Sequence, residues 1–425
     1  MTDAPAASTN DTPDATSDPV PNGIALSPLN PAYQKDPFTL LDRVREAGRI
    51  QYDPQLGRYI VSRFEDVQAI LNDRDLAVDP RKAADGTFNQ MFRDRMGEAE
   101  SGESRGTQSM LFLDPPDHTR LRGLVSKAFT PRAIERMRPR IEEIADELLD
   151  RVGDAESFDL MPAFCQPYPT IVIAEMLGVD PADQADFKRW TDEGVAAGFD
   201  PFASEETKRK AEIAGQEFDA YLRKAIAARR ADPRDDLITG LLHAQESGDF
   251  FSDDEVVTMI FLLLGAGNIT TTDLLGNGIK NLLEHPDQAD LLRRVPSRIP
   301  NAVEVMLRFE GPVTYSGRIT VDEREIAGCP MHAGQSITVA LGGANYDPRL
   351  HTDPHKFDVT REDIDHLAFG GGRRYCLGAP LARLEAQIGV AAILRHFPTL
   401  RLAPQEYIWK TVPGFRGLDR LILLT

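Results

Sequence analysis

Apolar side chains recur at helical spacing over most of this chain, and the exceptions are short. In DPFTLLDRVREAG (residues 36–48), Phe38, Leu41 and Val44 fall three apart, with Pro37 at the start and Gly48 at the end, which predicts a helix. IQYD (50–53) and RYIVSR (58–63) predict two short strands. Helical patterns joined by Pro- and Gly-bearing turns then dominate from residue 119 to 243. Segment 252–284 is the most informative. Ser252 and Glu255 have the spacing of a capping box, and Pro286 ends the pattern. VVTMIFLLLGAG (256–267) is apolar on all sides, so this helix is expected to run through the core. Its apolar length is read as too short for a membrane span, which takes roughly 18 residues. A short helix at 301–309, several short strands, an irregular loop to Tyr375 and a long helix over 377–397 complete the pattern. The fold expected is mainly α with a small β region, a single domain over 23–425. Residues 1–22 hold almost no large apolar side chains and read as a disordered tail.

Composition narrows the class. Apolar residues are 41% and charged residues 27% of 425, as in a soluble globular enzyme. A net charge of -19 argues against general affinity for nucleic acid or an anionic membrane. The N-terminus lacks the basic-then-apolar order of a signal peptide, so the expected location is the cytoplasm. Three cysteines, Cys165, Cys329 and Cys376, are too few and odd in number for a disulfide framework. A free Cys is commonly a small buried apolar residue, and context overturns that reading at one of the three.

That context is FGGGRRYCLG (369–378), of the form F-x-x-G-x-R-x-C-x-G. A metal-bound thiolate carries negative charge and needs donors aimed at it. A Gly-rich loop turns backbone N–H groups toward sulfur, and Gly372 and Gly378 are expected where a Cβ would clash. The positive end of the helix starting near Leu377 favours thiolate over thiol. Phe369 can pack against the ligand, and Arg374 can pair with a carboxylate of the cofactor. The bland alternative is a Gly-rich turn with a buried Cys.

The loop, continued upstream by His366-Leu367-Ala368, resembles the haem-binding loop of the cytochromes P-450, and the likeness runs from about residue 24 to the end. The resemblance implies haem b (iron protoporphyrin IX), an axial thiolate from Cys376, and monooxygenation with O2. It extends to DPPDHTRLRGLVSKAFTPR (114–132), where His118 and Arg122 share a helix face and match the family's propionate partners; read alone, they more readily describe a solvated basic face. Arg318 in PVTYSGRIT (312–320) matches another propionate-binding arginine, and Val313 and Thr314 before it match a pocket-lining strand. AGNITTT (266–272) matches the oxygen-binding segment, with Gly267 opening space for dioxygen and Thr270 helping to route protons. A threonine hydroxyl in a helix can also simply bond the carbonyl four residues back. Leu264, Ala266 and the loop over 88–113 are expected in the pocket, with the turn over 412–415 contributing.

The chain departs from the family at two places. Ile269 stands where an acid usually precedes Thr270, leaving the adjacent Asn268 as a polar group that cannot titrate. Val305 stands where the family's E-x-x-R helix has Glu, so Arg308 and Arg361 lose their shared carboxylate. Glu304 lies one position early, about 100° around the helix. Either Asp358 or Glu304 is expected to fill in. Tyr346, in ANYDP, replaces an Arg and is expected to alter packing more than chemistry.

No electron-transfer domain is evident, so a separate donor is implied. Between residues 116 and 140, Arg120, Arg122, Lys127, Arg132, Arg136, Arg138 and Arg140 outnumber Asp117 and Glu135, a local reversal of sign joined by Arg373. It is read as a docking face for an acidic [2Fe-2S] ferredoxin or flavodoxin, or as a solvated face. The leading function is hydroxylation or epoxidation of an apolar small organic molecule. The departures keep two others open: a haem-thiolate catalyst working by peroxide, isomerisation or dehydration, and a non-catalytic haem or ligand binder.

Overall fold

The computed structural model describes residues 19–94, 108–198, 203–244, 248–362 and 364–425. Most of the expected tail (1–18) and part of the expected pocket loop (95–107) lie outside the described residues. The principal helices are α1 (Pro37–Ala47), α2 (Phe64–Asn72), α3 (Asp117–Ala128), α4 (Arg138–Asp150), α5 (Pro167–Leu177), α6 (Gln184–Gly198), α7 (Glu205–Ala231), α8 (Asp253–Glu284), α9 (Ile299–Glu310) and α10 (Ala379–His396). The strands are β1 (Gln51–Asp53), β2 (Arg58–Val61), β3 (Ser157–Asp159), β4 (Ser316–Ile319), β5 (Arg324–Ile326), β6 (Cys329–Met331), β7 (Ser336–Val339), β8 (Arg401–Leu402) and β9 (Ile422–Leu424). The fold is mainly α with a small β region, as the pattern predicts.

Local signals set the ends of these elements. Asp36 caps α1 through the N–H groups of Phe38 and Thr39, with Pro37 at the first position. Ser252 and Glu255 form both halves of the capping box at the start of α8, Glu255 Oε2 accepting from Ser252 N at 2.8 Å and Ser252 Oγ from Glu255 N at 3.2 Å. The main sheet runs β1-β2-β7-β4. Only β2 and β7 pair in parallel, and Arg318 sits opposite Ile337 on the edge strand β4.

Helix α8 is the axis of the largest core cluster, packed by α5, α9 and α10. By length and composition it would suffice to cross a membrane, contrary to the expectation that it is too short. It is nevertheless a core helix: Asp273, Asn277, Lys280 and Asn281 are buried on it and bonded to other segments. Asn277 donates to the carbonyls of Glu310 and Arg416, and Lys280 pairs with Glu310 at 3.1 Å. A lipid-facing helix offers no such partners.

Candidate active site

The loop before α10 is tied by its own backbone. Cys376 N donates to Phe369 O at 3.0 Å, Gly370 N to Leu367 O at 2.8 Å, and Tyr375 N to Gly372 O at 3.1 Å. Gly372 has φ +59°, and a Cβ there would lie 2.5 Å from the carbonyl oxygen of Leu71 on α2. Glycine is therefore required by the neighbouring helix rather than by the sulfur. At Gly378 a Cβ would meet Cys376 Sγ at 4.0 Å, an ordinary contact, so the clash expected there is absent. The backbone N–H groups of Gly378 and Ala379 instead reach the sulfur.

Burial pushes the Cys376 thiol up, and the Gly378 N–H, Arg122, the Ala379 N–H and Arg383 pull it down without reversing the shift. The helix end alone does not yield the expected thiolate; a bound cation would.

Beside the loop, His118, Arg122, Arg318 and Arg374 converge. His118 is buried, its Nδ1 has no hydrogen-bond partner, and its pKa falls to about 4 through burial and the charges of Arg374, Arg122 and Arg373. Arg318 is 3% exposed and bonds Ser316 Oγ and the Gly317 carbonyl, with no ion pair among the described residues. Burial, then Arg374 and Arg373, bring it down to about 10. Arg374 is likewise brought to about 10, although Asp114 pairs with it at 3.0 Å. Arg122 gives a hydrogen bond to Tyr375 O at 2.7 Å. Basic side chains gathered where burial and neighbouring charges lower their proton affinity mark a place for anions. Two propionates beside the part-buried Cys376 fit the chemistry of this donor set, so the residues present suit a haem.

Helix α8 has an open face. Ala266 is exposed although it lies mid-helix, Leu263, Gly267 and Thr270 are part-exposed, and a Cβ on Gly267 would meet nothing within 4 Å. The spacing 263, 266, 267, 270 is one helix face. Leu264, Asn268, Thr271 and Thr272 occupy the opposite one and are buried. Leu264 thus belongs to the core rather than the pocket. Asn268 also turns away from the position expected of it: its Nδ2 donates to Thr170 Oγ1 at 2.8 Å, and its Oδ1 accepts from Thr272 Oγ1 at 3.2 Å. The Thr270 hydroxyl donates to Ala266 O at 2.7 Å, the bond to the fourth carbonyl back, which leaves its oxygen free to accept. Val313 is part-buried and bridges Phe415, whereas Thr314 is buried and its hydroxyl faces Tyr33, which removes it from the expected pocket lining.

Neither carboxylate expected to replace the residue missing at 305 does so. Asp358 accepts from Thr360 and Lys356. Glu304 binds Arg383 at 2.7 and 2.8 Å and His366 at 3.1 Å. Arg308 donates to the carbonyls of Asn345 (2.8 Å) and Pro354 (3.1 Å), and Arg361 to those of Asp353 and Lys356. Among the described residues, both arginines thus donate to main-chain oxygens. Tyr346 stacks on Phe38 at 4.2 Å and donates to Phe309 O, a packing role.

The pattern gave no weight to Glu385 on α10. It is fully buried, and its carboxyl is pushed up to about 8 by burial, against a hydrogen bond with the hydroxyl of Thr271, the neighbour of Thr270. Its signal was available: Glu385 falls with Leu381 and Ile388 on an otherwise apolar stripe. The basic stretch is also less basic than it reads. Arg120 pairs with Glu255, Arg138 with Glu135, and Arg140 with Glu143, Glu147 and Glu175, while Arg132 and Arg136 remain exposed.

Residues 81–294 and 300–417 match the cytochrome P450 family. The chain is 41% identical over 415 residues to cytochrome P450 107B1 of Saccharopolyspora erythraea, covering 96% of this chain and 98% of that protein. It is 38% identical over 395 residues to the 6-deoxyerythronolide B hydroxylase of the same organism, covering 92% and 96%. The solved structure of PksS, the cytochrome P450 of the Bacillus subtilis bacillaene polyketide synthase, matches with a TM-score of 0.83 at 35% identity, over 93% of this chain and 98% of that one. Together with the part-buried thiol, the convergent basic side chains and the open face of α8, these likenesses establish that the chain belongs to the cytochrome P450 family of haem-dependent monooxygenases.

Proposed function

We propose that this chain hydroxylates or epoxidises an apolar small organic molecule, using O2, haem b held axially by Cys376, and electrons from a separate [2Fe-2S] ferredoxin or flavodoxin in the cytoplasm. The observation that carries the reading is the convergence of His118, Arg318 and Arg374 beside the part-buried Cys376, with burial first and neighbouring arginines second lowering the proton affinity of all three. The haem, when bound, supplies activation of dioxygen.

The chain's own residues do the rest. His118, Arg122, Arg318 and Arg374 are assigned to the propionates, and Phe369, Gly372 and Gly378 to the shape of the thiolate loop. Gly267 keeps one side of α8 clear, and Ala266, Leu263 and Val313 give the pocket apolar walls. Thr270 donates its hydroxyl to Ala266 O, which leaves Oγ1 able to accept a hydrogen bond at the open face. Glu385, which holds a proton at neutral pH beside the Thr271 hydroxyl on the buried side of α8, is assigned as a proton source that does not involve position 269. Relatives named as a hydroxylase and as part of a polyketide synthase support a bulky, largely apolar substrate.

The test is the spectrum of the dithionite-reduced protein with carbon monoxide. The strongly red-shifted thiolate Soret band is expected, together with donor-dependent NAD(P)H consumption coupled to product. An imidazole-like band would refute the Cys376 assignment, and product formation that showed no dependence on the electron donor would refute the electron route.

A further inference from the structure

Glu304, the carboxylate that does not replace the missing one, has work of its own on the sulfur side of the loop. Both its oxygens take Arg383, Nε at 2.7 Å and Nη2 at 2.8 Å, and Oε2 also takes His366 Nε2 at 3.1 Å. His366 Nδ1 accepts from Ala368 N at 3.2 Å, which fixes the proton of the neutral ring on Nε2, pointing at Glu304. Arg383 lies seven residues beyond Cys376, on the second turn of α10. Its guanidinium stacks over the Phe369 ring, 4.5 Å from the centroid, and Nη1 donates to Tyr375 Oη at 3.1 Å. Phe369 is in turn the residue whose carbonyl receives Cys376 N.

A cation thus rests on the aromatic wall of the thiolate loop, and a carboxylate one bond further out offsets part of it. The side chains of Glu304, Arg383 and His366 are 25%, 30% and 5% exposed, so solvent screens this pair incompletely. Arg383 also acts on Cys376 directly, favouring its charged form. Burial raises the Glu304 carboxyl, yet Arg383 and His366 hold it at about 2, so the pair stays ionic at any pH where the protein works.

We propose that Arg383 and Glu304 are positioning residues of opposite sign that set the reduction potential of the haem iron through the Phe369 wall. The inference rests on Cys376 being the iron ligand. A nearby cation stabilises the more negative, reduced centre, and a nearby carboxylate destabilises it. Removing the two partners therefore moves the potential in opposite directions. A buttress that merely holds the loop shut would respond alike to the loss of either, because both losses loosen it.

The experiment is an equilibrium redox titration of the haem-loaded full chain and its variants, each first checked for the thiolate carbon monoxide band. Glu304→Gln keeps the shape and is expected to raise the midpoint. Arg383→Met keeps the stem over Phe369 and is expected to lower it. The double variant is expected to return toward wild type, and Arg383→Lys, which retains the charge, to stay near it. Should Arg383→Met lose haem, the sign of the Glu304→Gln shift still decides. With the thiolate band intact, shifts of the same sign, or no shift, overturn the proposal. A wild type without that band overturns the Cys376 assignment itself, and the proposal with it.

Discussion

Replacing Glu385 with Gln tests whether an uncharged acid sits in the core beside α8. Burial holds its carboxyl at about 8 in the folded chain, against an ordinary 4.5, with the Thr271 hydroxyl in partial opposition. Between those two values the folded state keeps a proton that the unfolded chain has lost. Stability therefore falls as pH rises through this window, by about 1.4 kcal/mol per pH unit. The accumulated cost is roughly 3 kcal/mol at pH 7 and about 5 kcal/mol above pH 8, and it vanishes below the unfolded value. Gln preserves the shape and can still bond Thr271, but it does not titrate. Glu385→Gln is therefore expected to match wild type near pH 4 and to exceed it by about 3 kcal/mol at pH 7, less any hydrogen bond weakened by the amide. Denaturant unfolding of the haem-loaded proteins from pH 4 to 8.5 measures the difference. The same variant should release more peroxide per NAD(P)H, because the proton source is gone. Parallel stability curves for the two proteins across the window would refute the buried neutral acid.

Two further outcomes follow from the loop and from α9. Gly372→Ala places a methyl 2.5 Å from Leu71 O at φ +59°, so a loss of about 1–3 kcal/mol and weakened haem retention are expected; an unchanged melting temperature and Soret absorbance would contradict this. Val305→Glu is expected not to raise the melting temperature, because Arg308 and Arg361 already donate to main-chain carbonyls and the new carboxylate must shed its water at a fully buried position. A clear rise would show that the site lacks its acid after all.

How far the site could be read in advance depended on how local each signal was. The thiolate loop was legible because its glycines, arginines and Cys fall within ten residues and meet through backbone bonds at short separation. The same holds for the capping box of α8 and the Asp36 cap of α1. Asn268 and Leu264 were misplaced for the opposite reason. A helix that is apolar all round does not reveal which face meets the cavity, and Thr170, ninety-eight positions away, decides where Asn268 points. The basic stretch misled similarly, since the partners of Arg120 and Arg140 lie on α8 and α5 as well as nearby.

By itself, then, the sequence determined the helical character, the first two strands of the main sheet and the family, all features written in contacts between near neighbours or in a compact motif. Only the tertiary structure decided that Glu304 serves Arg383 and His366 rather than Arg308, that Arg308 and Arg361 reach main-chain carbonyls, and that Glu385 is an acid held neutral beside Thr271. The reason is physical. Charge state and partner choice follow from burial and from which distant side chains share a space, and neither is fixed until the whole chain has packed.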